Sequence, residues 1–140
     1  MAALDPRTTA LVLVDLQKGI LGFALAPNSK PAILEVGARL AKHFRAAGAT
    51  LVLTNVTWAG EFPDALQQPV DRPTLGPAQL PPEGAAFPTE LEQAPRDNVV
   101  TRRRWGAFHG TELDLQLRRR GIKAQYVGAQ NVLDGGRTLL

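Results

Sequence analysis

Asp15 ends the apolar run Ala10-Leu11-Val12-Leu13-Val14, and an acid at the tip of a buried strand is the first residue here suited to chemistry. Such a carboxylate loses part of its hydration, which raises its pKa toward that of a useful base unless a nearby cation counters the effect. A second reading stays open, in which Asp15 caps the following turn. Other chemistries are excluded by residue type. The sequence has no cysteine, so it offers no disulfide, no thiolate metal ligand and no cysteine nucleophile. Its two histidines, His43 and His109, are too few and too isolated to build a zinc site. Asp15-Leu16-Gln17 lacks the second acid of the Asp-x-Asp phosphotransfer pattern. No Gly-x-Gly-x-x-Gly follows a strand and no Gly-Lys-Ser/Thr loop occurs, so nucleotide binding has no support.

The elements that must position Asp15 follow from periodicity. The continuous apolar run predicts a first strand over residues 9–15, buried on both faces as in a parallel sheet. Asn28-Ser29-Lys30-Pro31 supplies a cap and a proline in the first helical turn. Ile33, Leu34, Gly37, Leu40, Ala41 and Phe44 then recur at helical spacing, and Gly48 is placed to end that helix. Thr50-Leu51-Val52-Leu53-Thr54 reads as a second strand. Residues 56–97 hold eight of the eleven prolines and no sustained period, so they read as a long excursion with one short helix near Thr89-Glu90-Leu91. A loop this long either wraps a pocket or a partner, or is a proline-stiffened surface segment. Asn98-Val99-Val100-Thr101 resumes as a third strand, Thr111-Glu112-Leu113-Asp114 has the form of a capping box, and Gly121 ends the helix it opens. A fourth strand is expected over residues 122–127. The order strand, helix, strand, loop, strand, helix, strand argues an α/β fold with a mostly parallel sheet and right-handed crossovers.

The 140 residues, 44% apolar and 21% charged, suit one domain spanning 1–140 with one core. No run of about 18 apolar residues occurs, and MAALDPRTTA has neither a basic nor an apolar signal region, so a cytoplasmic protein without a membrane partner is expected. The net charge is only +3, but residues 102–123 carry seven bases (Arg102, Arg103, Arg104, Arg118, Arg119, Arg120, Lys123) against Glu112 and Asp114. Arg118 to Arg120 fall at a helix C-terminus, where the dipole accounts for them, so nucleic-acid binding is disfavoured.

Leu13-Val14-Asp15-Leu16-Gln17, Leu51-Val52-Leu53-Thr54-Asn55-Val56-Thr57, the stretch Val99 to Leu113 with its Ala107-Phe108-His109-Gly110-Thr111-Glu112-Leu113, and Leu117-Arg118-Arg119-Arg120-Gly121-Ile122 form an ordered set. Together they resemble the isochorismatase-like hydrolases, the cysteine hydrolase superfamily, over roughly residues 8–128. The resemblance implies a three-layer α/β/α, Rossmann-like fold with six parallel strands and, in most members, an Asp, Lys and Cys triad acting on small amides without a cofactor. True isochorismatases dispense with the thiol and cleave a vinyl ether by protonation.

Carried onto this sequence, the resemblance makes Asp15 the acid/base. It puts Arg102 where the family has Lys, a swap that keeps the cation but replaces a compact ammonium with a wide fork that cannot release its proton. Gln17 becomes the residue orienting Asp15 or substrate, and Trp105 and Phe108 the aromatic residues beside a small-molecule pocket, with ordinary packing the alternative. The family's Gly-x-x-Thr-Asn-type turn is not matched by Tyr126-Val127-Gly128-Ala129-Gln130-Asn131-Val132-Leu133, and Leu133 falls near the nucleophile's place. Only seven residues follow it, so the last strands are expected to be lacking, in the manner of a truncated or frame-shifted tail. The fourth strand is then an uncovered edge. Two functions follow as expectations: a small-molecule hydrolase, homo-oligomeric and weakened by the missing thiol and the Lys-to-Arg change, or a non-catalytic module that pairs with a homologous subunit.

Overall fold

The computed structural model describes residues 3–22, 28–57, 83–103 and 106–129. Within them a short 3₁₀ turn, Pro6–Thr8, leads into β1 (Thr9–Val14), whose alternating side chains are buried on both faces. A one-turn helix, α1 (Lys18–Leu21), follows Asp15, and α2 (Lys30–Ala46) leads to β2 (Thr50–Val56). The second 3₁₀ turn, Thr89–Leu91, precedes β3 (Asn98–Arg102), α3 (Leu113–Arg119) and β4 (Ala124–Ala129).

The expected caps explain where α2 starts and stops. Ser29 Oγ accepts from the Ala32 N–H, and Pro31 stands in the first turn, where its missing N–H costs nothing. At the other end Gly48 takes φ +75, a conformation cheap only without a Cβ. The four strands are all parallel, in the order β3-β2-β1-β4. Leu11, Leu13, Leu51 and Leu53 pack with Ile33, Leu34 and Ala41 of α2 on one face, while Ala10, Val12, Val52 and Val100 pack with Leu113 and Leu117 of α3 on the other. The arrangement is the expected three-layer α/β/α. Burial of each such leucine stabilises by about 1.5–3 kcal/mol.

Several local expectations are corrected. β2 runs two residues beyond Thr54, and β4 begins at Ala124 and not Ile122, since it is the Thr9↔Ala124 register that aligns it with β1. The capping box does not close. Thr111 Oγ1 accepts from the Leu113 N–H and donates to the Ala107 carbonyl, while Asp114 is drawn forward to Arg118 by an i,i+4 ion pair at 2.8 Å. Residues 58–82 of the proline-rich excursion and the tail from residue 130, with Leu133, lie outside the described residues.

A half-buried ion pair ties α2 to the start of β3. Arg45 holds both Asp97 oxygens, with Nη2 at 2.6 Å, and Asp97 also accepts from the Ala94 N–H at 2.8 Å. The clasp fixes β3 against the helix and so sets where Arg102, at the far end of that strand, arrives.

Candidate active site

Ligands of open parallel sheets bind beyond the carboxyl ends of the strands, and three strand ends converge there. Val14↔Thr54 and Thr54↔Val100 are level in the register, and Val56↔Arg102 are level one step further. Side chains two apart share a face, so Thr54 and Arg102 project on the α3 side, as do Val12 and Val100. Asp15 turns onto the same side by adopting φ 55, the left-handed region that Asp and Asn tolerate best after glycine.

The three side chains form one buried network. Arg102 donates from Nε to Asp15 Oδ1 at 3.0 Å, and its Nη2 pairs with Oδ2, so the guanidinium fork closes on both oxygens. Thr54 Oγ1 donates to Oδ1 at 3.2 Å and accepts from the Asp15 N–H at 3.4 Å, a donor that also reaches the Thr54 carbonyl at 3.0 Å. Asp15 is 7% exposed and Arg102 9%. Burial pushes the Arg102 pKa down from its ordinary value, yet a guanidinium starts so high that it stays charged. A fixed cation on both oxygens favours the ionised carboxylate. Asp15 therefore spends its carboxylate on Arg102 and Thr54, and not on capping the turn, since α1 begins after Gln17 without a side-chain cap.

Gln17 does not orient Asp15. Its Nε2 donates to the carbonyls of Val56 at 3.0 Å and Gly84 at 2.9 Å, and its Oε1 accepts from the Val56 N–H at 2.6 Å. A buried amide must satisfy all its groups, and backbone supplies them here. With the bonds from Lys18 N to Ala86 O and from Gly19 N to Gly84 O, both 2.9 Å, Gln17 straps the 83–86 turn over the start of α1. Gly19 lets the two backbones meet, because a Cβ there would lie 3.0 Å from the Gly84 Cα. Phe108 is half-buried and packs with Ala107 and Val14 against the core on the α3 side. Trp105 lies outside the described residues.

Sequence reasoning missed Thr54, which reads as an ordinary β-former inside Leu51-Val52-Leu53-Thr54. Its signal is positional: a hydroxyl, fully buried, at the carboxyl end of the strand beside the one that carries Asp15. Among the described residues no group of three or more His, Asp or Glu is gathered to hold a metal ion, and no helix is long and apolar enough to cross a membrane.

This sequence matches the Isochorismatase domain over residues 9–128. It is 45% identical over 123 residues to the Escherichia coli O157:H7 isochorismatase family protein YecD, covering 87% of this chain and 64% of that protein. It is 40% identical to YwoC of Bacillus subtilis (strain 168), covering 85% of this chain and 61% of that one. An isochorismatase family protein from Burkholderia thailandensis superposes with a TM-score of 0.80 at 38% identity, over 88% of this chain and 64% of that structure. N-carbamoylsarcosine amidase from Thermoplasma acidophilum, 22% identical with a TM-score of 0.64 over 87% of this chain and 67% of its own, shares the fold. The chain thus spans somewhat less than two thirds of the curated relatives it matches, and over that span the α/β/α layering, the matched domain and the identity agree: it belongs to the isochorismatase family.

Proposed function

We propose that this chain carries an isochorismatase-family hydrolase site for small amide-type or vinyl-ether substrates, with Asp15 as the proton-transferring acid/base and Arg102 as its fixed cation. The observation that supports it is the buried contact between these two side chains at the carboxyl end of the sheet. These 140 residues hold no cysteine and so supply no thiolate themselves. Protonation of a vinyl ether at carbon needs only an acid: water adds to the oxocarbenium ion and returns a proton to the carboxylate, and the hemiketal so formed breaks its C–O bond to leave a carbonyl and release the alcohol. Asp15 is the group for that step. Arg102 works against it by favouring the ionised carboxylate, and it cannot relay a proton itself, so turnover is expected to be slow. Phe108 is the described aromatic residue proposed to border the substrate, and Gln17 supports the site through the backbone it holds.

Hydrolysis of a panel of small amides, carbamates and isochorismate, with Asp15→Asn as control, tests the proposal. Turnover that disappears in the variant supports it. Equal rates in the two proteins overturn it.

One observation favours a second reading, the non-catalytic module. β4 ends the sheet among the described residues, its span Ala124–Ala129 carries neither proline nor charge, and Tyr126 is 48% exposed. Such an edge accepts a strand from another chain, here a homologous subunit. Size-exclusion chromatography with light scattering decides: a stable, monodisperse monomer counts against it.

A further inference from the structure

The hydrogen bonds on Asp15 are divided unequally between its two oxygens, and the inequality traces to one side chain. Oδ1 accepts from Thr54 Oγ1 at 3.2 Å and from Arg102 Nε at 3.0 Å, whereas Oδ2 is held by Arg102 Nη2. Each carboxylate oxygen offers about two lone-pair sites. Among the described residues Oδ1 is therefore filled, and Oδ2 retains one site. The hydroxyl hydrogen of Thr54 is not free to turn elsewhere, because Oγ1 already accepts from the Asp15 N–H at 3.4 Å and the residue has no solvent exposure.

We propose that Thr54 is a positioning residue for Asp15, holding Oδ1 as a permanent acceptor so that proton exchange takes place at Oδ2. The role rests on the reading of Asp15 as the acid/base, but its test measures titration and not turnover, so either can fail alone. Charges near Asp15 are few. Among the described residues Arg102 of β3 is the one in contact. Lys18 of α1, Arg103 after β3, and His109 and Glu112 before α3 are all exposed, and the ionisable side chain of β4, Tyr126, lies on the opposite face beside Phe44.

Carbon-detected NMR titration of the Asp15 carboxyl is compared in the wild-type protein and in Thr54→Val, Thr54→Ala and Thr54→Ser. Losing one hydrogen bond to the charged form raises the midpoint by about half to one unit in the Val and Ala variants, and Ser restores the wild-type midpoint. In the wild-type protein the Thr54 hydroxyl proton stays protected below the midpoint, since the new proton sits on Oδ2. An unmoved midpoint in Val or Ala overturns the proposal, as does a Ser variant displaced as far as Val. Where the Val and Ala variants do not fold, the wild-type hydroxyl signal decides: its disappearance on protonation places the proton on Oδ1 and refutes the assignment.

Discussion

Removing Arg102 separates what the Asp15 pair does for the fold from what it does for the site. Arg102→Met keeps most of the apolar stem and deletes the fork, leaving a carboxylate that is 7% exposed with Thr54 as its remaining side-chain partner. At a charge separation of about 4 Å the attraction is about 4 kcal/mol for an effective dielectric of about 20. Several kcal/mol of desolvation per ion offset it, so the intact pair contributes little net. Breaking it is another matter, because the stranded charge keeps its desolvation cost without the attraction. Arg102→Met is therefore expected to lose about 3–5 kcal/mol, a large part of the stability of a domain this size. Asp15→Asn strands the Arg102 guanidinium, itself 9% exposed, in the same way, and its amide nitrogen sets a donor against the fork, so a loss of similar size is expected even though Asn tolerates the φ of 55. The double variant buries no charge and should recover most of the loss. Urea unfolding followed by circular dichroism, with slopes equal across the four proteins, measures the cycle. A coupling below about 0.5 kcal/mol, or an Arg102→Met within about 1 kcal/mol of wild type, refutes a desolvated, mutually dependent pair.

Three other outcomes follow from the same geometry. Gly19→Ala drives a Cβ to within 3.0 Å of the Gly84 backbone, which cannot rotate away, so a loss of about 1–3 kcal/mol is expected and a lower melting temperature reads it. Gln17→Leu strands the Val56 N–H and the carbonyls of Val56 and Gly84, costing about 2 kcal/mol or more, with faster amide exchange at Val56 as its local signature. At the exposed N-terminal turn, the side-chain hydrogen bond from Arg7, followed by its backbone N–H, lowers the Asp5 pKa below 3.8. The small stability that this lowering confers is present above 3.8 and lost as pH falls through the lowered value. Arg7→Ala should move the Asp5 midpoint back up in an NMR titration.

The layers of the fold were legible because each rests on a local pattern: an apolar run for β1, helical spacing behind Ser29 and Pro31 for α2, and Gly48 at its end. Asp15 was legible for the same reason, as an acid where apolar residues stop. Arg102 was singled out by resemblance alone, since one arginine among Arg102-Arg103-Arg104 does not announce that strand register turns it inward. The partners of Gln17 were not legible because they are backbone groups 39 and 67 residues away, and no side-chain pattern marks a carbonyl that needs a donor. The capping box failed for an ordinary reason: Asp114 had Arg118 one turn ahead of it, and an ion pair competed with the reach backward.

Asp15 directly follows β1 and Arg102 ends β3, strands separated by β2, so their contact bridges two strands that share no backbone hydrogen bonds. Thr54 supplies the middle of the bridge from β2, and the strap of Gln17 on Val56 stiffens the same strand two residues further on. Held this way, the carboxylate is fixed in place before any substrate arrives, which is what a proton-transfer group requires. The forked cation that completes the bridge also favours the charged form that an acid must leave. An ammonium, with a point charge and no planar fork, can hold one oxygen and release the other. The geometry therefore places the conflict between anchoring the sheet and freeing a proton in one side chain. Arg102→Lys is the change that relieves it: stability should fall, because the bidentate contact goes, while any proton-transfer activity at Asp15 should rise. A variant that loses stability and gains no turnover over wild type would locate the barrier elsewhere in the site.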